Sequence, residues 1–147
     1  MKHENVDHLK SLYAAVEAEN HTEVDNIARL LYPNSEGFRP TKNHVRITNA
    51  FAGNAEEMRL LHEEWLAKMP VQTTDLRPEY CGAHGFLVKI NWLHMEWKDS
   101  YAGSLPDQYS YRAYNHILAR AWLLASLKAL ITTIEHALDQ KLSTEEL

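Results

Sequence analysis

The chain contains a single cysteine, Cys81, so it can form no internal disulfide. It also lacks a long hydrophobic run: the longest uninterrupted apolar stretch, Ala121–Ala125, is far shorter than the ~20 residues that a membrane-spanning helix needs. Residues 1–10 are polar and do not resemble the apolar core of a signal peptide. These absences lead us to expect a soluble protein of the reducing cytoplasm, with no membrane partner.

Positive charge is also scarce, since 15 Lys and Arg side chains stand against 20 Asp and Glu side chains, giving a net charge of −5. Proteins that bind duplex nucleic acid carry a basic face, so we expect no duplex partner. The 147 residues have the usual size of one domain. We assign residues 1–139 to a single domain and the polar residues 140–147 to a tail that we expect to be disordered.

Apolar residues recur at steps of three and four in four segments, which is the periodicity of amphipathic helices. The segments are Asp7–Glu19, Thr22–Leu31, Asn54–Met69 and Ala113–Leu138. Thr22 and Asn54 are the expected N-caps, and Glu57 completes a capping-box pattern with Asn54. Pro70 is expected to end the third helix. The fourth segment is apolar on most of its circumference, so we expect it to bury two faces.

Two segments show the alternation of a half-buried strand. Phe86–Trp92 is the clearer of the two, with Lys89 on the side expected to meet water. In His44–Thr48, Val45 and Ile47 are expected to share one face. Further short strands are expected at Leu76–Tyr80, Leu93–Ala102 and Gln108–Tyr111. Strands clustered between helices predict an α+β fold, with a small antiparallel sheet packed against helices that include a long C-terminal one.

Two helical segments resemble those of small phage and prophage proteins. Phe51–Trp65 resembles their "G-x-x-x-A-x-x-L-H-E-x-x-x-P-x-W" helix, and Ala119–Ile131 resembles their closing "A-R-A-W-L-L-A-x-L-x-A-L-I" helix. The sequence departs from the pattern at 115–118, where Asn-Pro is usual, and in the longer loop at 38–48. The resemblance implies an α/β sandwich, a phage or mobile-element origin and a location in the host cytoplasm. It implies no catalytic residues.

Arginines that lie near aromatic residues are the candidates for ligand contacts. The candidate residues are Arg46, Arg77, Trp97, Tyr111, Arg112 and Tyr114. Arginine forks bind phosphate in bidentate geometry and aromatic faces stack bases, so a pocket with both would suit a nucleotide. Arg112 is the first choice for the phosphate contact, because it precedes the expected start of the last helix and helix N-termini attract anions. The alternative is a set of surface arginines around an aromatic core.

Metal and nucleophile chemistry receive weaker support from the sequence. Cys81, His84 and His94 could supply three zinc ligands, but structural zinc sites need four ligands at tight, paired spacing. A loop cysteine with surface histidines is the favoured interpretation. Cys81 and His84 as nucleophile and base would lack an oxyanion motif. The segment 62–65 is not a zincin motif, because Leu66 stands where a second histidine is required, and it is interpreted as a polar helix face.

Three functions remain open at this point. The first is a non-catalytic protein without a cofactor that sequesters a small anionic ligand, which the phage resemblance suggests is a nucleotide signal of host antiviral defence. The second is a protein-interaction module that inhibits a host protein. The third is a small hydrolase or phosphodiesterase, which would need an inward-facing pair of titratable side chains in one pocket.

Aromatic residues also cluster ahead of the last helix. They are Trp92, Trp97, Tyr101, Tyr109 and Tyr111. Aromatic side chains are favoured at the cores of interfaces. This cluster therefore predicts a homodimer or a larger assembly.

Overall fold

The computed structural model describes residues 5–34, 39–67, 71–94 and 108–145. Within these ranges the chain forms five α-helices and a three-stranded antiparallel sheet, so the predicted α+β class is confirmed. The helices are α1 (Val6–Glu17), α2 (His21–Leu31), α3 (Lys42–Phe51), α4 (Ala55–Ala67) and α5 (Leu118–Glu145). The strands are β1 (Val71–Tyr80), β2 (Phe86–His94) and β3 (Gln108–Asn115), with a short 3₁₀ turn at Gly82–His84.

Asparagine side chains cap three of the helices. Asn5, Asn20 and Asn54 precede α1, α2 and α4, and the side-chain oxygen of each accepts a hydrogen bond from the backbone N–H three residues later, at 3.1–3.2 Å. Such a cap stabilises a helix by ~1 kcal/mol. The prediction of Asn54 as an N-cap is confirmed. Thr22 is the wrong cap for α2, because that helix already begins at His21.

The segment His44–Thr48 is helical, which contradicts the predicted strand. α3 buries His44, Ile47 and Phe51, at steps of three and four. Val45 is 39% exposed whereas Ile47 is fully buried, so the two do not share a face as the alternation required. Five residues are too few to separate the two periods, and the packing of α3 against α2 and α4 selects the helix.

The sheet has the order β1-β2-β3, with both neighbouring pairs antiparallel. Its inner face buries Val88, Ile90 and Ala113, and α5 packs against β2 and β3. Ala113 pairs with Val88 in the ladder, so the predicted start of the last helix at Ala113 is wrong and α5 begins at Leu118. Residues 95–107, which include most of the predicted strand at Leu93–Ala102, lie outside the described ranges.

The long helix α5 occupies the centre of the protein. Residues 123–127 are all buried, which requires cover on more than one side of a helix. α1, α3 and α4 supply that cover in addition to the sheet, so the prediction of two buried faces is confirmed. The helix continues through Glu145 and thus beyond residue 139, where the polar tail was expected to begin.

Gly85 lies where β2 begins, against the connection between β3 and α5. Its φ of 81° is in the left-handed region, and a Cβ atom would lie 2.4 Å from the Cα of His116 and 2.5 Å from the carbonyl oxygen of Asn115. Backbone atoms cannot move aside as the end of a side chain can. The close approach of these two segments therefore depends on glycine.

Candidate functional site

Three cationic residues form one row across the sheet. Arg77 of β1 pairs with Lys89 of β2, and Lys89 pairs in turn with Arg112 of β3. Directly paired residues project from the same face of a sheet, and here it is the face opposite the buried Val88 and Ile90. Strands lie about 4.8 Å apart, so the row spans roughly 10 Å. We call Arg77, Lys89 and Arg112 the basic row, and the face that carries it the outer face.

Within the basic row, Lys89 and Arg112 place two like charges directly opposite one another. Arg112 is exposed and Lys89 is half-buried, and within the described part of the chain neither side chain has an ion pair. Arg77 has an interaction of its own. Like charges directly opposite one another on neighbouring strands destabilise a sheet. An anion bound over the row would relieve this repulsion.

An aromatic ring lies on the outer face beside the row. Tyr114 follows Arg112 by two residues in β3, so both project outward about 7 Å apart, and Tyr114 is 55% exposed. Tyr114 pairs with Leu87, and Leu87 pairs with Glu79 of β1. The carboxylate of Glu79 is at the β1 side, so the positive charge of this face is greatest toward β3. The arrangement offers a guanidinium and an aromatic face to the same ligand.

From the sequence, Arg112 was expected to bind an anion because it would stand just before the N-terminus of the last helix. That argument is wrong. Arg112 lies inside β3, which ends at Asn115, and residues 116–117 separate the strand from the first turn of α5. At that turn the side-chain oxygen of Asn115 accepts a hydrogen bond from the N–H of Ile117 at 3.0 Å. Arg112 is therefore not at a helix N-terminus, and the groups beside its side chain come from the neighbouring strands of the sheet.

The structure does not place the other predicted ligand contacts, Tyr111, Arg46 and Trp97, on the outer face. Tyr111 alternates with Arg112 and faces inward, where it is half-buried. Arg46 belongs to α3 and is 7% exposed. Its guanidinium is paired with two carboxylates of α4, Glu64 at 3.3 Å and Glu57 at 3.8 Å, so its charge is already paired within the fold, and a ligand contact at Arg46 stays a prediction. Trp97 lies outside the described residues.

The sequence missed Lys89 as a member of the site. Its alternation with Val88 and Ile90 already indicated a side chain that meets water. The missing information was the register, because only pairing shows that Lys89 stands between Arg77 and Arg112. A single lysine on a polar strand face is an ordinary feature, whereas cations directly opposite one another are unfavourable without an anion.

Arg120 forms a second cationic centre, and it is buried at 7% exposure. Its Nε donates to the carbonyl oxygen of Phe51 at 2.6 Å, and its guanidinium lies 4.1 Å from the centroid of the Phe51 ring. Its Nη1 lies 3.3 Å from Glu19, and His116 approaches the same carboxylate at 3.2 Å. Glu19 has a φ of 58°, in the left-handed region that non-glycine residues seldom adopt. This centre joins the α1–α2 corner to α3 and α5 and is structural.

His62 contradicts the predicted polar helix face, because it is 6% exposed and packs against α5. Its Nδ1 lies 3.2 Å from the hydroxyl of Ser126, and the indole N–H of Trp122 donates to the same nitrogen at 3.4 Å. An indole N–H can only donate, so Nδ1 is an acceptor and the ring proton is on Nε2. Burial lowers the pKa of His62, while the carboxylate of Glu63 acts weakly in the opposite direction.

We expect the lowered pKa of His62 to make stability fall in mild acid. An unfolded histidine takes up a proton near pH 6.5, whereas the buried ring does so only at lower pH. Below about pH 6.5 protons therefore favour the unfolded chain. Urea unfolding at several pH values should show a steeper loss of stability in the wild type than in His62→Gln, which cannot titrate. Parallel pH profiles of the two proteins would contradict the assignment of a neutral His62.

The backbone separates the proposed zinc ligands. Cys81 precedes β2, and His94 is its last residue, paired with Val71. From Phe86 to His94 an antiparallel strand spans roughly 27 Å, so Cys81 and His94 cannot bind one ion. Among the described residues, no group of three histidine, cysteine, aspartate or glutamate side chains could hold a metal.

Comparison with known proteins returned no matching family model, no matching curated protein and no matching solved structure. The resemblance of α4 and α5 to phage helices therefore stays a hypothesis. No helix in the described ranges is both long and apolar enough to cross a membrane. The homodimer was predicted from a cluster of five aromatic residues, and Tyr111 is the only one of them whose side chain the structure describes. The homodimer therefore also stays a prediction.

Proposed function

We propose that this protein binds and sequesters a small anionic ligand of nucleotide type on the outer face of its sheet, and that it does not catalyse a reaction of that ligand. The observation that carries the proposal is the register that places Arg77, Lys89 and Arg112 in one row. Guanidinium and ammonium groups bind phosphate, and the exposed Tyr114 ring can stack on a base. In the phage setting that the sequence suggests, the ligand would be a nucleotide signal of antiviral defence.

Charge and size both favour a small ligand over a polymer. The basic row spans roughly 10 Å, which is the scale of a few phosphate groups. The carboxylate of Glu79 lies on the same face and limits the positive field to the side of β3. The net charge of −5 opposes long-range attraction of a nucleic acid. A compact ligand that contacts Arg112 and Tyr114 together fits these constraints.

The test is calorimetry with a panel of cyclic and linear nucleotides. Arg112→Ala is expected to weaken binding by about 1.5–3 kcal/mol, the scale of a hydrogen bond to a charged group. Since Arg112 is exposed, the fold should stay intact. Arg59→Ala is the matched control, because this half-exposed arginine belongs to α4 and not to the sheet, and its ion-pair partners among the described residues are Glu56 and Glu63. It should bind like the wild type.

Two results would count against the proposal. The first is a wild-type protein that binds none of the nucleotides, which would favour the protein-interaction module. The second is an Arg112→Ala protein that binds as tightly as the wild type. Mass spectrometry of the ligand after incubation separates the remaining alternative, because an intact nucleotide indicates sequestration and a processed one indicates a hydrolase or phosphodiesterase.

A further inference from the structure

An open cleft of about 360 Å³ lies between α1, β3 and α5. Its lining consists of Lys10, Tyr13, Tyr111, Lys128, Ile131 and Thr132. The volume falls within the range of small-molecule sites, which starts near 300 Å³. Because Tyr111 faces inward, this cleft is on the opposite side of β3 from the basic row. The two places are separate.

The walls of the cleft are mainly aromatic and aliphatic. Tyr13, Tyr111 and Ile131 are each half-buried, so part of every one of these side chains remains accessible. The pKa of Tyr13 is raised by burial and by nearby Glu17, so its phenol stays protonated and uncharged at neutral pH. Partly covered tyrosine rings offer large contact area with little loss of side-chain freedom. A flat apolar group would fit against them.

The two lysines of the cleft, Lys10 and Lys128, differ in the groups that they contact. Lys10 lies 3.0 Å from the carboxylate of Glu135, so an anionic partner already accompanies its ammonium. Lys128 donates to the backbone carbonyl of Arg112 at 2.7 Å and lies 5.7 Å from the centroid of the Tyr13 ring. Within the described part of the chain, Lys128 has no carboxylate partner. An ammonium has three N–H donors, so Lys128 can donate to a ligand while it keeps its carbonyl.

We propose that this cleft is a second binding site, for a small planar aromatic compound with a single anionic group. The aromatic part lies against Tyr13, Tyr111 and Ile131, and the anionic group accepts a hydrogen bond from Lys128. A single unneutralised ammonium favours a monoanion over the multiply charged phosphates proposed for the outer face. The two proposals are independent, since they concern different residues, different ligand charge and opposite sides of β3.

Fluorescence titration of the full chain with anilinonaphthalene sulfonate, an aromatic monoanion, tests the site. The wild type should bind the dye saturably with one site. Lys128→Met removes the charge but keeps most of the apolar stem, and it should weaken binding about tenfold or more. Thr132→Phe fills the cleft without changing its charge and should abolish the fluorescence gain. Lys42→Met is the matched control, an exposed lysine of α3 outside both sites, and should bind as the wild type does.

The proposal is overturned if the wild type shows no saturable binding, or if Lys128→Met binds the dye as tightly as the wild type. It is also overturned if Lys42→Met loses as much affinity as Lys128→Met, because binding would then reflect overall charge. Circular dichroism checks that each variant is folded. If Lys128→Met does not fold, Thr132→Phe decides alone, and retained dye binding in that variant overturns the site.

Discussion

Gly85→Ala is expected to destabilise the fold by roughly 2–6 kcal/mol, the sum of backbone strain and overpacking. The added methyl would meet the backbone of His116 at 2.4 Å, and the residue would have to hold a φ of 81°. The clash falls on the connection that leads from β3 into α5. Both the sheet register and the start of the central helix would have to shift to relieve it.

Gly82→Ala is the matched control for this substitution. Gly82 also has a positive φ, of 62°, but apart from Gly82 and its two chain neighbours no atom of the described residues lies within 4 Å of the position that its Cβ would take. Only the left-handed conformation is then penalised, by roughly 1–2 kcal/mol. Urea unfolding followed by circular dichroism should therefore rank Gly85→Ala well below Gly82→Ala in stability. Equal losses in the two variants would show that the close approach at Gly85 does not exist.

Leu124→Ala is expected to cost about 2–5 kcal/mol, the range for a buried leucine. Leu124 is 3% exposed in the second turn of α5, and truncation would leave a cavity in the core. Leu30→Ala makes the same chemical change on α2, where the side chain is 58% exposed, and should cost less than about 0.5 kcal/mol. A loss below that value for Leu124→Ala in chemical unfolding would mean that this side chain is not core.

The elements that the sequence predicted correctly are those with strong local signals. The Asn54 cap, the long apolar period of α5 and the alternation in β2 each depend on residues close together in the chain. The strand predicted at His44–Thr48 was wrong because this segment is short, and the spacing of its apolar residues fits both a strand and a helix. The start of α5 was misplaced because Ala113 is a good helix former, yet its pairing with Val88 extends β3 instead.

The candidate site could be predicted only in part. Arg77, Arg112 and Tyr114 were chosen for their chemistry, and the register shows that they share one face with Lys89. Arg46 was chosen by the same chemistry and is paired within the core. Its partners, Glu57 and Glu64, come from the next helix along the chain. Whether an arginine is free for a ligand depends on carboxylates brought near by tertiary packing, and local sequence does not contain that information.

The ammonium of Lys128 on the Arg112 carbonyl also bears on how copies of this chain can meet. Among the described strands, β1 and β3 are the two edges of the sheet, and an unguarded edge can recruit a strand from another molecule. A lysine occupies an acceptor of β3, and Pro78 in β1 has no N–H to donate. Both edges thus resist continuation of the sheet into a neighbour. A homodimer of this protein would then join through faces or helices, and growth into fibres by strand addition is disfavoured.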